Sequence, residues 1–210
     1  MLTRGSGIVA LAAALTSWIA FFPSSREAAH GAERATQIRQ PSFEFVGQFQ
    51  NSPAGVTPAT HSNYGYLSYA AGLASFSGSA ENETTALFTF FADASTLRVI
   101  ADGPLRIITR TGRLTIYRDA SPDGSFDNAD TFRDGARVLV GEFRQQVVNN
   151  TVTGSFTTFH SVRITSTRPF QAGRSKLQLG RVGQTFSISL SGQGNMPGPP
   201  SGFFGGYGVG

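Results

Sequence analysis

Ala136–Thr165 reads ARVLVGEFRQQVVNNTVTGSFTTFHSVRIT, and its hydrophobic period is two. Leu139, Phe143 and Val147 fall on one side of the first run, with Glu142 and Arg144 on the other. Asn149-Asn150 supplies the polar pair that tolerates the positive φ of a two-residue type I′ turn. A turn there pairs Val148 with Thr151 and sets the register. Phe143 then faces Phe156, Val147 faces Val152 and Leu139 faces His160 on an apolar side. The polar side pairs Glu142 with Thr157 and Arg144 with Ser155. One greasy face and one wet face define a half-buried antiparallel hairpin.

The same period extends outward in both directions. FEFVGQFQ, from Phe43 to Gln50, sets Phe43, Phe45 and Phe49 against Glu44, Gln48 and Gln50. YGYLSYAAGL (Tyr64–Leu73), TALFTFF (Thr85–Phe91) and TFSISLSG (Thr185–Gly192) read as further strands. In the second of these, Phe88 and Phe90 oppose Leu87 and Phe91, so both faces are expected to be covered. LRIITRTGRLTIYR (Leu105–Arg118) reads as a hairpin turning at Thr111-Gly112. No long amphipathic helix interrupts residues 42–192. The expected fold is all-β: a single antiparallel barrel of about eight to ten strands, resembling the calycins in outline, with a sandwich as the alternative.

Composition agrees. Eighteen Phe stand against one Trp and two Met, and 25 Gly supply bends, a mixture suited to pleated surfaces and turns. Hydrophobic residues make up 40% and charged residues 14%, which excludes a disordered polyelectrolyte. There is no cysteine, so disulfides, thiolate metal sites and cysteine nucleophiles are excluded.

The first 32 residues carry Arg4 and then a 15-residue apolar stretch, Ile8–Phe22, broken only by Thr16 and Ser17. That run is short for a membrane span of about 20 residues. Small residues follow, with Ala29-His30-Gly31 or His30-Gly31-Ala32 as cleavage sites, so residues 1–32 are expected to be a secretory signal. Residues 33–41 form a polar lead-in, residues 42–192 the barrel, and residues 193–210 a flexible Gly/Pro-rich tail. The expected location is the periplasm or the extracellular space. Beyond residue 32, 15 basic side chains face 12 acidic ones without clustering, which excludes a nucleic-acid footprint.

The stretch DASPDGSFDNAD, Asp119–Asp130, resembles the calcium loops of EF-hands, and more closely those of dockerin modules and thrombospondin type 3 repeats. The resemblance implies side-chain ligands from Asp119, Ser121, Asp123, Asp127 and Asp130. It also implies a carbonyl ligand from Ser125 and a sharp turn at Gly124. Strands, not helices, flank it, and Pro122 restrains Ser121 towards extended conformations. The competing reading is a polar turn pinned to the barrel by Phe126 and Phe132.

Few other residues point to chemistry. His160 lies on the apolar face, where it would be a general base inside a cavity or a buried histidine with a partner. His61 reads as a loop residue in solvent. The hairpin register turning at Thr111-Gly112 pairs Arg110 with Arg113 and Arg106 with Tyr117. Like charges so placed cost stability and would suit an anionic ligand. No nucleophile elbow, zinc-helix motif or phosphate loop is present.

The expected function is therefore non-catalytic: an exported barrel binding a small apolar ligand or a surface partner. The alternatives are an isomerase- or cyclase-type enzyme using His160 within the barrel, and a small outer-membrane barrel. Against the last, Arg106, Arg110, Arg113 and Arg118 break up any lipid-facing band.

Overall fold

The computed structural model describes residues 35–194 and 200–210. The expected signal segment lies outside the described residues. Eleven strands follow in order: β1 (Thr36–Ile38), β2 (Ser42–Asn51), β3 (Thr60–Ala70), β4 (Phe88–Asp102), β5 (Leu105–Arg118), β6 (Ala136–Asn150), β7 (Ser155–Thr167), β8 (Phe170–Ala172), β9 (Ser175–Leu179), β10 (Thr185–Gly194) and β11 (Gly202–Val209). Eight of them close a barrel in the order β2-β3-β4-β5-β6-β7-β10-β11, and β11 pairs back with β2. Every neighbouring pair in the barrel is antiparallel. The fold is all-β and a single closed barrel, so the sandwich alternative falls.

Closure leaves no free edge in the barrel. The interior divides into two ends. At one end Phe43, Phe88, Ile116, Leu139, Ile164 and Phe186 fill the lumen. The small sheet β1-β9-β8 packs onto this end, with Phe170 edge-on to Phe88 at 5.5 Å. Midway, Phe45, Phe90, Phe143 and Phe204 continue the packing. Beyond them, towards the β2–β3 and β6–β7 turns, the lining becomes polar.

Three details differ from the sequence reading, each for a physical reason. The β6–β7 hairpin does not turn tightly at Asn149-Asn150. Its loop is Thr151–Gly154, with Gly154 at φ 73° and Asn150 Oδ1 accepting from the N–H groups of Val152 and Thr153. Phe143 therefore pairs with Val162, and His160 with Gln145. The slip is by an even number of residues, so the inward set, including Phe143, Val147, Phe156 and His160, is unchanged.

The second difference is at Thr111-Gly112, which is the middle of one continuous strand, β5. The turn lies instead at Gly103, with φ 55°. Gly112 points inward beneath the Phe143 ring, whose Cζ would lie 2.7 Å from an added Cβ. It is a packing glycine, not a turn glycine. Arg110 consequently pairs with Thr96 and Gln145, and Arg113 with Asp93 and Glu142, so the proposed Arg110–Arg113 and Arg106–Tyr117 pairs do not form.

Third, the barrel does not end at Gly192. Residues Gly202–Val209, read as flexible tail, form β11 and complete it. Gly202, Phe204, Gly206 and Gly208 face inward, while Phe203, Tyr207 and Val209 are exposed.

Outside the wall, the connection from β5 to β6 folds back over the barrel and contains one 3₁₀ turn, Ala129–Phe132. Phe132 is fully buried with Tyr64, Phe91 and Tyr117, and Phe126 stacks on it at 5.0 Å. Arg133 lies over Phe91 at 4.7 Å. The loop is thus pinned by Phe126 and Phe132, and Phe91 faces outward to receive it.

Candidate functional site in the barrel lumen

The polar end of the lumen holds a cavity with about 80 Å³ open to the centre of a water molecule. At about 30 Å³ of liquid volume per water, it has room for two or three waters, or for part of a compact organic molecule. Phe49, Ile108, Val147, Phe156, Leu190 and Phe204 supply apolar wall. His61, Asn63, Arg110, Gln145, Asn149 and Thr158 supply polar groups. Among the described residues no carboxylate lines it. The phenylalanines of the middle layer close it from below, so the cavity is blind.

Arg110 is the unusual member. Its side chain enters from β5 because residue 110 has the inward parity of Gly112, Leu114 and Ile116. Only 8% of it is exposed. Nη2 donates to Asn51 Oδ1 at 3.4 Å, a long bond, and Nε has no partner among the described residues. Burial pulls its pKa down to about 10. Arginine is rarely buried without an acidic partner, because the desolvated charge is costly. Next to it on β6, Gln145 is 2% exposed, and its Oε1 also lacks a donor.

Burial favours the neutral form of both lumen histidines. His61 was read as a solvated loop residue but stands on β3, facing inward and buried. Its Nδ1 lies 2.8 Å from Asn51 Oδ1 and its Nε2 3.0 Å from Asn63 Oδ1. Burial, and then Arg110 nearby, hold its pKa well below the usual imidazole value. Asn51 Oδ1 also accepts from Arg110, so it is an acceptor towards His61. The ring is then the Nδ1–H tautomer, and a flip of the Asn63 amide would place a donor at Nε2. A neutral imidazole here adds no second charge beside Arg110.

His160 lies deeper, edge-on to Phe143 at 5.2 Å, with Nδ1 at 3.5 Å from Thr158 Oγ1. Burial lowers its pKa to about 4, with a backbone hydrogen bond at Ile188 opposing the shift and Arg110 adding to it. The cavity at its ring offers only about 20 Å³, room for a single water and no substrate.

The four residues proposed for an anionic ligand are not brought together. Arg106 is exposed on the outer part of the β4–β5 hairpin, and Arg113 is exposed on the outer wall. Tyr117 is buried beneath Phe132. Arg110 alone enters the lumen. Asn63, Gln145 and Thr158 were missed because single polar residues in apolar alternation look like imperfect strands, not like a lining.

The acidic loop does not adopt a calcium-loop wrap. Asp130 pairs with Arg133 at 2.6 Å, and its N–H is capped by Asn128. The Ser125 carbonyl accepts from the Asn128 N–H, and Ser125 Oγ accepts from the Asp127 N–H. Phe126 and Phe132 pull this half of the loop onto the wall, away from Asp119. Ser121 gives its N–H to Asp119 Oδ1 at 2.8 Å. A different set does converge: carboxylate oxygens of Asp119, Asp123 and Asp134 lie within 4.8 Å of one another. Asp134 is four residues past the twelve-residue spacing, so no loop template points to it. Burial first, then Asp123 and Asp119, raise its pKa. Asp119 is 7% exposed, and its Oδ2 has no donor. Arg118 gives Nη1 to the Asp119 carbonyl rather than to its carboxylate.

Fold and lumen together define a closed eight-stranded antiparallel barrel with a blind cavity built around a buried arginine that has no acidic partner among the described residues. No family model, curated protein or solved structure matches the chain.

Proposed function

We propose that the protein is an exported, non-catalytic barrel that holds a small molecule with an apolar body in its lumen. The blind cavity between Phe49, Val147, Phe156 and Leu190 carries this reading. Its size favours a compact guest over a long chain. The enzyme alternative has less support, because His160 is walled off by Phe143 and a 20 Å³ gap admits no substrate. The outer wall supports a barrel standing in water: Arg113, Glu142, Arg144 and Arg163 are exposed on it. The apolar segment Ile8–Phe22 with Arg4 supports export to the periplasm or the extracellular space.

Saturation-transfer NMR with benzyl alcohol tests the binding reading. The full chain is expected to give a signal, and Val147→Trp, which fills the cavity, is expected to lose it while still melting cooperatively. A wild-type chain without any signal for benzyl alcohol or benzoate would refute the reading.

We further propose that Asp119, Asp123 and Asp134 hold a calcium ion as a structural tie for the β5–β6 connection. The buried Asp119 oxygen without a donor, facing two other acids, supports it. In melts of the full chain, calcium at about a hundredfold over its Kd is expected to raise Tm by about 5 °C or more relative to EDTA. Asp123→Ala should lose that rise. Equal melting in calcium and EDTA would reduce the triad to a polar turn.

A further inference from the structure

We infer that the guest of the lumen is a small organic carboxylate, its carboxylate on Arg110 and its apolar body against Phe49 and Phe156. This rests on the lumen-binding reading and specifies its ligand class.

The argument starts from charge. Arg110 is more than nine-tenths buried, its Nε donates to nothing, and its one side-chain bond is a long one to a neutral amide. Among the described residues no acid lines the cavity, so none of them neutralises it there. The flanking imidazoles of His61 and His160 are neutral, and Asn51, Asn63 and Gln145 are neutral amides. The site therefore carries one net positive charge inside a low-dielectric wall, which favours an anion. A planar carboxylate matches the guanidinium fork, and it accepts from Nε and one terminal nitrogen at once when the side chain turns to bring the now fully buried Nε to the cavity.

Size and wall chemistry then choose among anions. About 80 Å³, roughly half the ~150 Å³ of a cavity that holds benzene, encloses the carboxylate and part of the body of benzoate or a short branched acid, the remainder lying in the open mouth, and cannot bury a fatty acid. Inorganic phosphate would leave the rings of Phe49 and Phe156, which meet edge-on at 5.3 Å, facing nothing apolar. An organic body buries against them. Gln145 Oε1 adds a selection of its own, since it lacks a donor and would accept from a hydroxyl or amide on the guest.

Calorimetric titration of the full chain with benzoate, benzyl alcohol and inorganic phosphate tests this. Benzoate is expected to bind at least about tenfold more tightly than benzyl alcohol, the difference between a charge-assisted and a neutral hydrogen bond. Arg110→Met should erase that preference, so that benzoate binds no more tightly than benzyl alcohol. Arg110→Lys, which keeps the charge without the fork, should retain part of it. Equal binding of benzoate and benzyl alcohol to wild type would overturn the carboxylate assignment and leave lumen binding standing. Phosphate binding as tightly as benzoate would also overturn it. Absence of binding by both organic probes would instead sink the lumen reading on which it rests.

Discussion

A chain ending at Gly194 is expected to show no cooperative melt. Its loss removes β11, which pairs along its whole length with β10 on one side and β2 on the other. Removal opens the barrel, exposes two long strand edges, and uncovers Phe45, Phe90 and Leu190 around the missing Phe204. Truncating the Phe204 side chain alone costs about 3–5 kcal/mol. Losing the backbone pairing as well exceeds the roughly 5–15 kcal/mol of net stability typical of a domain. Phe204→Ala in the full chain serves as the comparison: it should melt lower but cooperatively. A truncated chain that melted within a few degrees of the full one would show that β11 is an accessory strand.

Arg110→Met is expected to stabilise the ligand-free protein. Burial lowers the guanidinium pKa from its ordinary value to about 10, so the folded state holds this charge at a cost. The group is protonated in folded and unfolded states at pH 7, so the cost is a constant offset below pH about 10. It diminishes only as pH rises from there towards the unfolded value. An apolar side chain of similar length removes it, and comparable buried-charge replacements gain about 1–4 kcal/mol. For a domain of this size that is a Tm rise of about 3–10 °C. Thermal and urea melts at pH 7 measure it. A lower Tm would mean that Arg110 is compensated within the lumen, contrary to the open valences at Nε and at Gln145 Oε1.

The two variants also mark what the sequence made legible. Strands with a large residue inward, such as Phe43-Phe45-Phe49 and Leu139-Phe143-Val147, declare their period directly. β11 conceals the same period because three of its four inward positions are glycine: residues 202, 206 and 208. Those glycines leave space that phenylalanines from neighbouring strands occupy, as Phe49 does beside Gly202. A barrel whose rings come from one strand and gaps from the next looks low-complexity where the gaps are. Gly112 misled in the same way, reading as punctuation when it makes room for Phe143.

The site was harder to see for a related reason. Arg110 was noticed, but as one of a surface row with Arg106, Arg113 and Tyr117. Strand parity sends Arg110 in and Arg113 out, and a turn misplaced onto Gly112 hid that parity. His61 looked exposed because Thr57, Pro58 and Ser62 surround it with turn-forming residues, although β3 begins at Thr60. Asp119 and Asp123 were legible as an acidic pair, whereas Asp134 joins them only through the fold-back that Phe126 and Phe132 anchor.

The most direct test of the lumen as a carboxylate site is an NMR titration of the full chain with benzoate, following the Arg110 Nε–H resonance and the backbone amides. The Nε–H signal is expected to move downfield and saturate, together with the amides of Phe49, Val147, Thr158 and Leu190. Shifts confined to exposed arginines such as Arg144 and Arg163, or an unmoved Arg110 signal at saturating benzoate, would contradict it.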